Sequence, residues 1–332
     1  MAFDIGRRQF ISVLGGGAVA WPFAARAQRP AGRTARIGFL GPSRDNPVVG
    51  LGYSAFLDEL KKSGFSVGQN LTIEVIREDQ DIQRLFAETA DLVRSNVELL
   101  VVGPEISLQA AVRASRTIPI VMWANNYDPI ARGYVKSLAR PGGNITGIVS
   151  LQTELAGKQV ELLTQAFPDR SRLAVLYDET SADQFAAADR QARSLHLDVQ
   201  SLKLENPPYD FDAAFRSLAE GTPQMLLVLS SEFFTLSRSH IAELAIQQRL
   251  PTMFIFKIYV QAGGLISYGV DPQVMFRQVG FYVSKILNGS KPADLPVEQA
   301  AKFELVINLK TAKAIGVDLS TAIQLRADEV IE

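Results

Sequence analysis

The most informative absence in this chain is cysteine, because none of its 332 residues is a cysteine. That absence excludes disulfide bonds, thiolate metal sites, cysteine nucleophiles and lipid attachment through a cysteine. Only two histidines are present, His196 and His240, which leave little for a histidine-based metal site or a catalytic triad. Basic and acidic residues nearly cancel, with 34 Lys and Arg against 35 Asp and Glu. A chain without a basic excess is not typical of nucleic-acid-binding proteins, so we expect no nucleic-acid partner.

Apolar runs long enough to span a membrane are also missing. A shorter apolar run near the start of the chain indicates an export signal. Residues 11–20 are mildly apolar, follow Arg7-Arg8-Gln9-Phe10 and precede Ala25-Arg26-Ala27. The run is shorter than the roughly 20 residues that span a bilayer, which disfavours a membrane anchor. A basic start, a short apolar middle and an Ala-x-Ala end predict a signal peptide over 1–27, cleaved after Ala27. The paired arginines favour twin-arginine export, with a general secretory signal as the alternative, and a soluble product in the periplasm.

From residue 36 onward, short β-branched runs alternate with longer amphipathic patterns. The predicted strands are 36–40, 71–77, 99–102, 118–123, 145–149, 173–177, 199–204, 225–229, 252–256, 265–268 and 303–307. The predicted helices are 48–63, 82–95, 107–115, 154–166, 182–195, 211–220, 234–249 and 276–288. Apolar strands separated by helices indicate parallel sheets covered on both faces. The alternation breaks at the turn-rich residues 139–144 and then restarts, so we predict an α/β fold of two doubly wound lobes.

The residues that follow the predicted strands are the candidates for a ligand site. In doubly wound folds a ligand binds in the crevice beyond the carboxyl ends of the strands. Two facing sheets would place that crevice between the lobes, where hinge closure can enclose a small molecule. The candidate ligand-binding residues are Ser43, Glu105, Ser107, Asn125, Asn126, Tyr127, Glu179, Thr180, Ser230, Glu232 and Lys257.

Several of these candidates have a structural explanation as well. Ser107 is either a simple helix N-cap or part of an anion site beside free backbone N–H groups. Trp123 and Tyr127 are possible aromatic walls, although the Asn and Asp residues around Tyr127 are also ordinary turn residues. Lys257 is either the partner of a ligand carboxylate or a solvated surface lysine.

No motif predicts catalysis, a metal or a bound cofactor. The glycine pattern at 50–55 does not fit dinucleotide binding, because residues 42–49 separate it from the preceding strand. A Gly-x-Ser-x-Gly nucleophile elbow is absent from the sequence. An exported enzyme remains an alternative, and it would need a perturbed pair of acids among Glu105, Asp128, Glu179 and Glu232.

Taken together, several segments resemble the bacterial ABC-transporter substrate-binding proteins of the tryptophan-binding-protein-like group. The resemblance spans residues 36–332. The matching segments are 36–40, 118–121, Asp128-Pro129, 137–147 with Arg140-Pro141-Gly142-Gly143-Asn144-Ile145-Thr146-Gly147, 157–163, 241–250, 262–269 and 291–313. The resemblance implies a type I periplasmic-binding fold, in which three strands form a hinge between the lobes. Lobe 1 is then expected to hold 34–149 plus about 270–299, and lobe 2 150–269 plus about 300–332.

The resemblance also implies a function. It implies the periplasmic solute-binding component of an ABC importer, a monomer that closes on a small solute and delivers it to an inner-membrane permease. Among the candidates above, it implies ligand contacts at Ser107, Asn125, Glu179, Ser230 and Lys257. A periplasmic ligand-sensing protein for a receptor is the alternative within the same fold.

Two departures from the group bear on the ligand. Pro104-Glu105-Ile106 stand where members often carry small residues with Ser or Thr, and Lys257 offers no acidic partner for an ammonium group. The expected ligand is therefore a small polar or aromatic carboxylate, or an amino-acid-like molecule, and a carboxylate without an amine fits as well.

Overall fold

The computed structural model describes residues 34–77 and 81–332, and the predicted signal peptide lies outside these residues. Strands of the described residues form one sheet of six strands and one of seven, each the centre of its own lobe. The predicted fold class, two doubly wound α/β lobes of the type I periplasmic-binding kind, is confirmed. Within the same residues, no helix has the length and apolar character needed to cross a membrane.

Lobe 1 is built from the first part of the chain. Its elements are β1 (Ala35–Gly41), α1 (Pro47–Lys62), β2 (Leu71–Arg77), α2 (Ile82–Arg94), β3 (Leu99–Val102), α3 (Glu105–Ala114), β4 (Ile120–Ala124) and β5 (Ile145–Val149). Lobe 2 follows. Its elements are α4 (Gln152–Ala166), β6 (Arg172–Tyr177), α5 (Ala182–Ser194), β7 (Asp198–Lys203), α6 (Phe211–Gly221), β8 (Met225–Val228), α7 (Glu232–Leu236), α8 (Arg238–Gln247), β9 (Thr252–Phe254), α9 (Lys257–Gln261) and β10 (Ile266–Val270).

The last part of the chain contributes to both lobes. Lobe 1 receives α10 (Pro272–Leu287), which packs along α1, and β11 (Glu298–Gln299), which pairs with β5. Lobe 2 receives β12 (Phe303–Asn308), α11 (Leu309–Ile315), α12 (Thr321–Gln324) and β13 (Glu329–Ile331). The strand orders are β11-β5-β4-β3-β1-β2 and β13-β12-β10-β9-β8-β6-β7.

The central strands of each sheet are apolar on both faces because helices cover both, whereas the edge strands β2 and β7 carry exposed polar residues. In β4, Val121 and Trp123 join the core beneath α1 and α10, while Ile120 and Met122 join the core on the opposite face. Side chains alternate in direction along a strand, so a strand buried on both faces must be apolar at every position. This explains why the continuous apolar runs in the sequence correctly predicted buried parallel strands.

Three connections between the lobes lie side by side and form the hinge. They follow β5, β10 and β11, and backbone hydrogen bonds tie them together. Ala300 N donates to Val149 O at 2.8 Å, and Asp271 N donates to Lys302 O at 3.1 Å. Parallel connections of this kind resist twisting of one lobe against the other but allow bending.

The sheet of lobe 2 departs from a purely parallel arrangement. β12 runs antiparallel to β10, and β13 follows β12 in direction. The chain enters β12 directly from the hinge, which lies at the carboxyl ends of the parallel strands, so β12 has to run the opposite way.

Three predicted helices differ clearly from the observed ones. α3 begins at Glu105 with Pro104 as N-cap, so the predicted start at Ser107 and its capping role are wrong, and Ser107 is fully buried in the first turn. The predicted helix over 234–249 is two helices, because Ser237 leaves helical geometry (φ −94°, ψ 12°) between α7 and α8. The predicted helix over 276–288 starts at Pro272, since Asp271 caps it.

Packing of β5 against β4 gives a prediction for Gly147. This residue has φ +144°, and a Cβ atom there would lie 2.0 Å from Met122 O. We expect Gly147→Ala to lower the free energy of unfolding by about 2–4 kcal/mol, measured by urea denaturation. Gly143→Ala is the matched control, since its Cβ would meet nothing within 4 Å. Equal stability of the two variants would contradict the close approach of these strands.

Candidate functional site

Loops at the carboxyl ends of the parallel strands bring the two lobes into contact, and we call these loops the rims. The lobe 1 rim follows β1, β3 and β4, and the lobe 2 rim follows β6, β7 and β8. Asn126 Nδ2 donates to Ser230 O at 3.5 Å, and Arg132 Nη2 lies 3.6 Å from Asp183 Oδ2. The rims therefore meet through polar side chains from both lobes.

Asn46 links the start of α1 to the lobe 2 rim. Its Oδ1 accepts hydrogen bonds from Val48 N at 3.0 Å and Val49 N at 3.5 Å, which caps the helix. Because the oxygen is used by the cap, the side-chain NH₂ is the donor to the Glu232 carboxylate. Val48 also belongs to an apolar cluster of lobe 2 that contains Phe234, so α1 adds an apolar contact beside the polar one.

A charged network crosses the junction a few residues away. Glu105 Oε1 accepts a hydrogen bond from Tyr134 OH at 3.1 Å and lies 3.5 Å from Arg132 Nε. Arg132 then reaches Asp183 of lobe 2, as described above. The Arg132 side chain is 51% exposed, so each ion pair contributes no more than about 1 kcal/mol. Such contacts can hold the rims together only weakly.

Ser230, two residues after the end of β8, is contacted by side chains from both lobes. Its N–H donates to Gln184 Oε1 at 3.2 Å, and its carbonyl accepts from Asn126 Nδ2. Asn126 Oδ1 and Gln184 Nε2 are buried and have no hydrogen-bond partner among the described residues. Buried polar atoms of native proteins are nearly always paired with protein, water or ligand. These two atoms make the junction a candidate place for a ligand to bind.

Asp178 is a buried carboxylate that accepts hydrogen bonds from the loops of the lobe 2 rim. It follows β6 directly and is 0% exposed. Its Oδ1 accepts from Thr180 N at 3.0 Å, Thr180 Oγ1 at 2.7 Å and Ser181 Oγ at 3.1 Å. Its Oδ2 accepts from Tyr209 OH at 3.2 Å and from Ser231 Oγ. A single buried carboxylate thus fixes the loops after β6 and β8 relative to each other.

Aromatic rings surround this carboxylate. Tyr209 packs edge-on against Phe233 with ring centroids 5.3 Å apart, and Tyr177 stacks on Phe185 at 4.1 Å. Burial, followed by the nearby Asp178 carboxylate, raises the pKa of Tyr209 to about 12, so its hydroxyl stays a donor at neutral pH. The lobe 2 rim therefore combines polar groups with half-buried aromatic rings.

The structure places the sequence candidates in different surroundings. Asn126, Ser230 and Glu232 lie at the junction itself, and Glu105 lies in the charged network beside it. Asn125 Oδ1 accepts from Ser150 Oγ at 3.2 Å, where β5 leads into the hinge. Thr180 is exposed and bonds to Asp178.

The remaining candidates are held by contacts within one lobe. Ser43 bonds to Asp45 in the turn after β1. Tyr127 donates to Gly103 O at 3.2 Å from inside the lobe 1 core, and Trp123 is 3% exposed, so neither ring forms a wall of the junction. The Glu179 side chain is 85% exposed and pairs with Lys203. Lys257 begins α9 and forms an ion pair with Glu329 of β13.

Reasoning from sequence missed Asn46, Asp178, Arg132 and Gln184. The sequence contained a signal for Asn46, because Asn before Pro is typical of the start of a helix. Asp178 had one too, because it directly follows a predicted strand. Gln184 had none, because its position in the first turn of α5 is like that of any polar helical residue.

The acids proposed for an enzyme do not form a pair. Glu105 is bound to Arg132, Glu179 is exposed, and Asp128 Oδ1 accepts from Ile130 N at 2.8 Å in its own turn. Among residues 34–77 and 81–332, no group of three or more His, Asp or Glu is placed to hold a metal ion.

The Asp178 network predicts a large effect on stability. Asp178→Ala leaves the hydroxyls of Tyr209 and Ser231 without their acceptor, so we expect a loss of about 3–5 kcal/mol in the free energy of unfolding. Urea denaturation of the mature chain measures it. Asp212→Ala, which removes a half-exposed partner of His240, should cost less than about 1 kcal/mol. Similar losses for both variants would refute the role of Asp178.

Glu232 predicts a pH-dependent effect. Burial raises its pKa above the ordinary value of 4.5, and the Asn46 hydrogen bond only partly offsets this. A raised pKa in the folded state means that stability is highest with the carboxyl protonated and falls as pH rises through the raised pKa. We expect Glu232→Gln to raise the melting temperature at pH 7, with no difference from wild type below pH 4.5. Glu88→Gln, on exposed α2, serves as control, and an equal or lower melting temperature for Glu232→Gln at pH 7 contradicts the prediction.

Comparison with known proteins gives the context of this geometry. Residues 41–331 match the family described as ABC transporter substrate binding protein. The tyrosine-binding protein of Clostridioides difficile (strain R20291) is 25% identical over 284 residues, which cover 84% of this chain and 80% of that protein. A conserved domain protein from Vibrio cholerae superposes with a TM-score of 0.80 at 25% identity, over 90% of this chain and all of that one.

A further solved structure, an ABC domain from Streptococcus pneumonia in complex with L-Trp, has a TM-score of 0.79 at 24% identity. It covers 90% of this chain and 100% of that chain, and it supports the fold. The matched family and the curated relative are substrate-binding proteins rather than enzymes. The family match extends over nearly all of the described residues, and this chain belongs to the ABC transporter substrate-binding protein family.

Proposed function

We propose that this chain is the periplasmic solute-binding component of an ABC importer. It captures a small polar or aromatic, carboxylate-bearing or amino-acid-like solute between its lobes by hinge closure. The closed form then docks on an inner-membrane ABC permease. The chain acts as a monomer, reaches the periplasm through its twin-arginine signal and is cleaved after Ala27 on the way.

The observation that carries this proposal is the junction at Ser230. Side chains from both lobes meet there, and two of their buried polar atoms lack partners among the described residues. A site divided between two lobes is complete only when they close, so binding and closure are coupled. The weak cross-lobe contacts fit this coupling, since a hinge that must reopen cannot be held by strong ones.

The relatives narrow the class of solute. One related protein is named for binding tyrosine, and one structural neighbour contains L-Trp. The half-buried rings of Tyr209 and Phe233 at the lobe 2 rim suit the apolar body of such a molecule. Capture without chemistry is sufficient for transport, because the permease reads the closed form.

Calorimetry on the mature chain, residues 28–332, tests the proposal. The panel consists of the twenty amino acids, aromatic carboxylates without an amine, and simple polyols. We expect at least one solute to bind, to stabilise the fold by about 2.7 kcal/mol at 100 times its Kd, and to reduce the radius of gyration in solution scattering. A folded protein that binds no member of the panel would falsify the proposal.

A further inference from the structure

The start of α1 belongs to lobe 1 but contacts lobe 2, and we call residues 46–48 the α1 tip. Val48 is 8% exposed and lies in an apolar cluster whose other described members, Phe234 among them, all belong to lobe 2. Asn46 is 5% exposed and donates a side-chain hydrogen bond to Glu232 of α7. The α1 tip therefore joins the two lobes through one apolar and one polar contact.

Lobe 1 holds the α1 tip rigidly. The Asn46 side-chain oxygen caps α1, and the Arg44 guanidinium lies 4.4 Å from the centroid of the Tyr53 ring, which ties the loop before the helix to the helix itself. Along its length α1 packs on α10, so closely that a Cβ atom at Gly52 would lie 2.3 Å from Phe276 Cδ2. A surface that is already ordered loses little conformational freedom when it docks on the other lobe.

The position of the α1 tip makes its contacts depend on closure. β1, which leads to the tip, is separated from β5 at the hinge by β3 and β4. Adjacent strands are about 4.8 Å apart, so β1 lies roughly 14 Å from β5. Bending at the hinge moves such a distant contact apart, and closing restores it. The partners in this contact are protein side chains, so the contact forms whichever solute lies between the lobes.

The α1 tip therefore acts on the equilibrium between the open and the closed form. The affinity of a solute that binds only the closed form is its intrinsic affinity multiplied by the fraction of chains that are closed. A contact made only in the closed form raises this fraction for all solutes alike.

We propose that the α1 tip is a closure latch, which holds part of the ligand-free protein closed and strengthens the binding of every solute by one common factor. This inference rests on the proposed function, because it assumes capture by hinge closure. It goes further, since it assigns control of the closure equilibrium to Asn46 and Val48 and gives them no part in the choice between solutes.

Substitution of Val48 tests the apolar contact. Val48→Ala removes most of the side chain that enters the lobe 2 cluster. We expect every solute of the panel that binds the wild type to bind about 5- to 10-fold more weakly, with the ratios between solutes unchanged, as measured by calorimetry. Leu51→Ala is the matched control, because Leu51 lies on the same helix but is 43% exposed. Its affinities should equal those of the wild type.

Substitution of Asn46 tests the polar contact. Asp caps a helix as well as Asn does, so Asn46→Asp keeps α1 but places a second carboxylate beside Glu232. We expect every solute to bind about 10-fold more weakly or worse at pH 7. In the background of Glu232→Gln, the amide introduced at 232 can donate to the carboxylate introduced at 46, so Asn46→Asp should then change affinity by less than about 3-fold. Losses that simply add would contradict the contact.

The distance between two labels measures closure without any solute. The chain has no cysteine, so Asp91→Cys on α2 and Arg216→Cys on α6 introduce two exposed sites for spin labels, one on each lobe. We expect double electron–electron resonance on the ligand-free chain to show a component at the distance that the structure gives between the two sites. Val48→Ala and Asn46→Asp should each reduce this closed component by about 3-fold or more, and Leu51→Ala should leave it unchanged.

The outcomes separate the latch from the proposed function. If solutes bind but Val48→Ala changes neither their affinities nor the closed component, the latch is overturned and solute capture stands. If Val48→Ala weakens some solutes and not others, the common factor is overturned. If no solute of the panel binds while the closed component still falls in both variants, the proposed function fails and the latch stands.

Discussion

The shared direction of the strands determines where polar chemistry can exist in this molecule. All six strands of lobe 1 and the first five of lobe 2 run parallel within their sheets. Parallel strands buried on both faces leave no room for polar side chains along their length. Asp178, Ser230 and Asn126 accordingly stand in the loops just beyond strand ends, and the three hinge connections hold the two sets of loops against each other. The junction is a consequence of that arrangement.

The polar contacts within lobe 2 are stronger than the polar contacts between the two lobes. Within lobe 2, the fully buried Asp178 receives hydrogen bonds from the loops after β6, β7 and β8 and keeps the rim rigid. Across the lobes, the polar contacts described above are a long hydrogen bond, an exposed ion pair and a bond to the half-buried Glu232. Because burial raises the pKa of Glu232, its ionised form lowers the stability of the folded state. Such a loss of stability is common at groups that serve binding. Rigid rims with weak contacts between them are what a hinged binding protein needs.

Much of the fold could be predicted because its signals are local. The runs that became β3 and β5 were assigned with the observed bounds, because every residue of these two strands is buried. The bounds of β2 were also correct, although it is an edge strand with Thr72 and Arg77 exposed. Where tertiary context intervened, the bounds shifted, as at α3, which starts beside Pro104 rather than at Ser107. The short elements α9, α11 and β13 carried no periodic signal long enough to be recognised.

The sequence by itself determined the α/β class, the two lobes and the loops in which a site would lie, because strand periodicity and strand-end position are properties of neighbouring residues. Only the tertiary structure decided which residues of those loops meet. Lys257, a candidate partner of a ligand carboxylate in the sequence analysis, forms an ion pair with Glu329, a residue 72 positions away. Gln184, which looked like any helical glutamine, reaches Ser230, a residue 46 positions away, and leaves a donor at the junction. Contacts between residues so far apart in the chain depend on how the helices and strands pack, and local sequence patterns do not determine that packing.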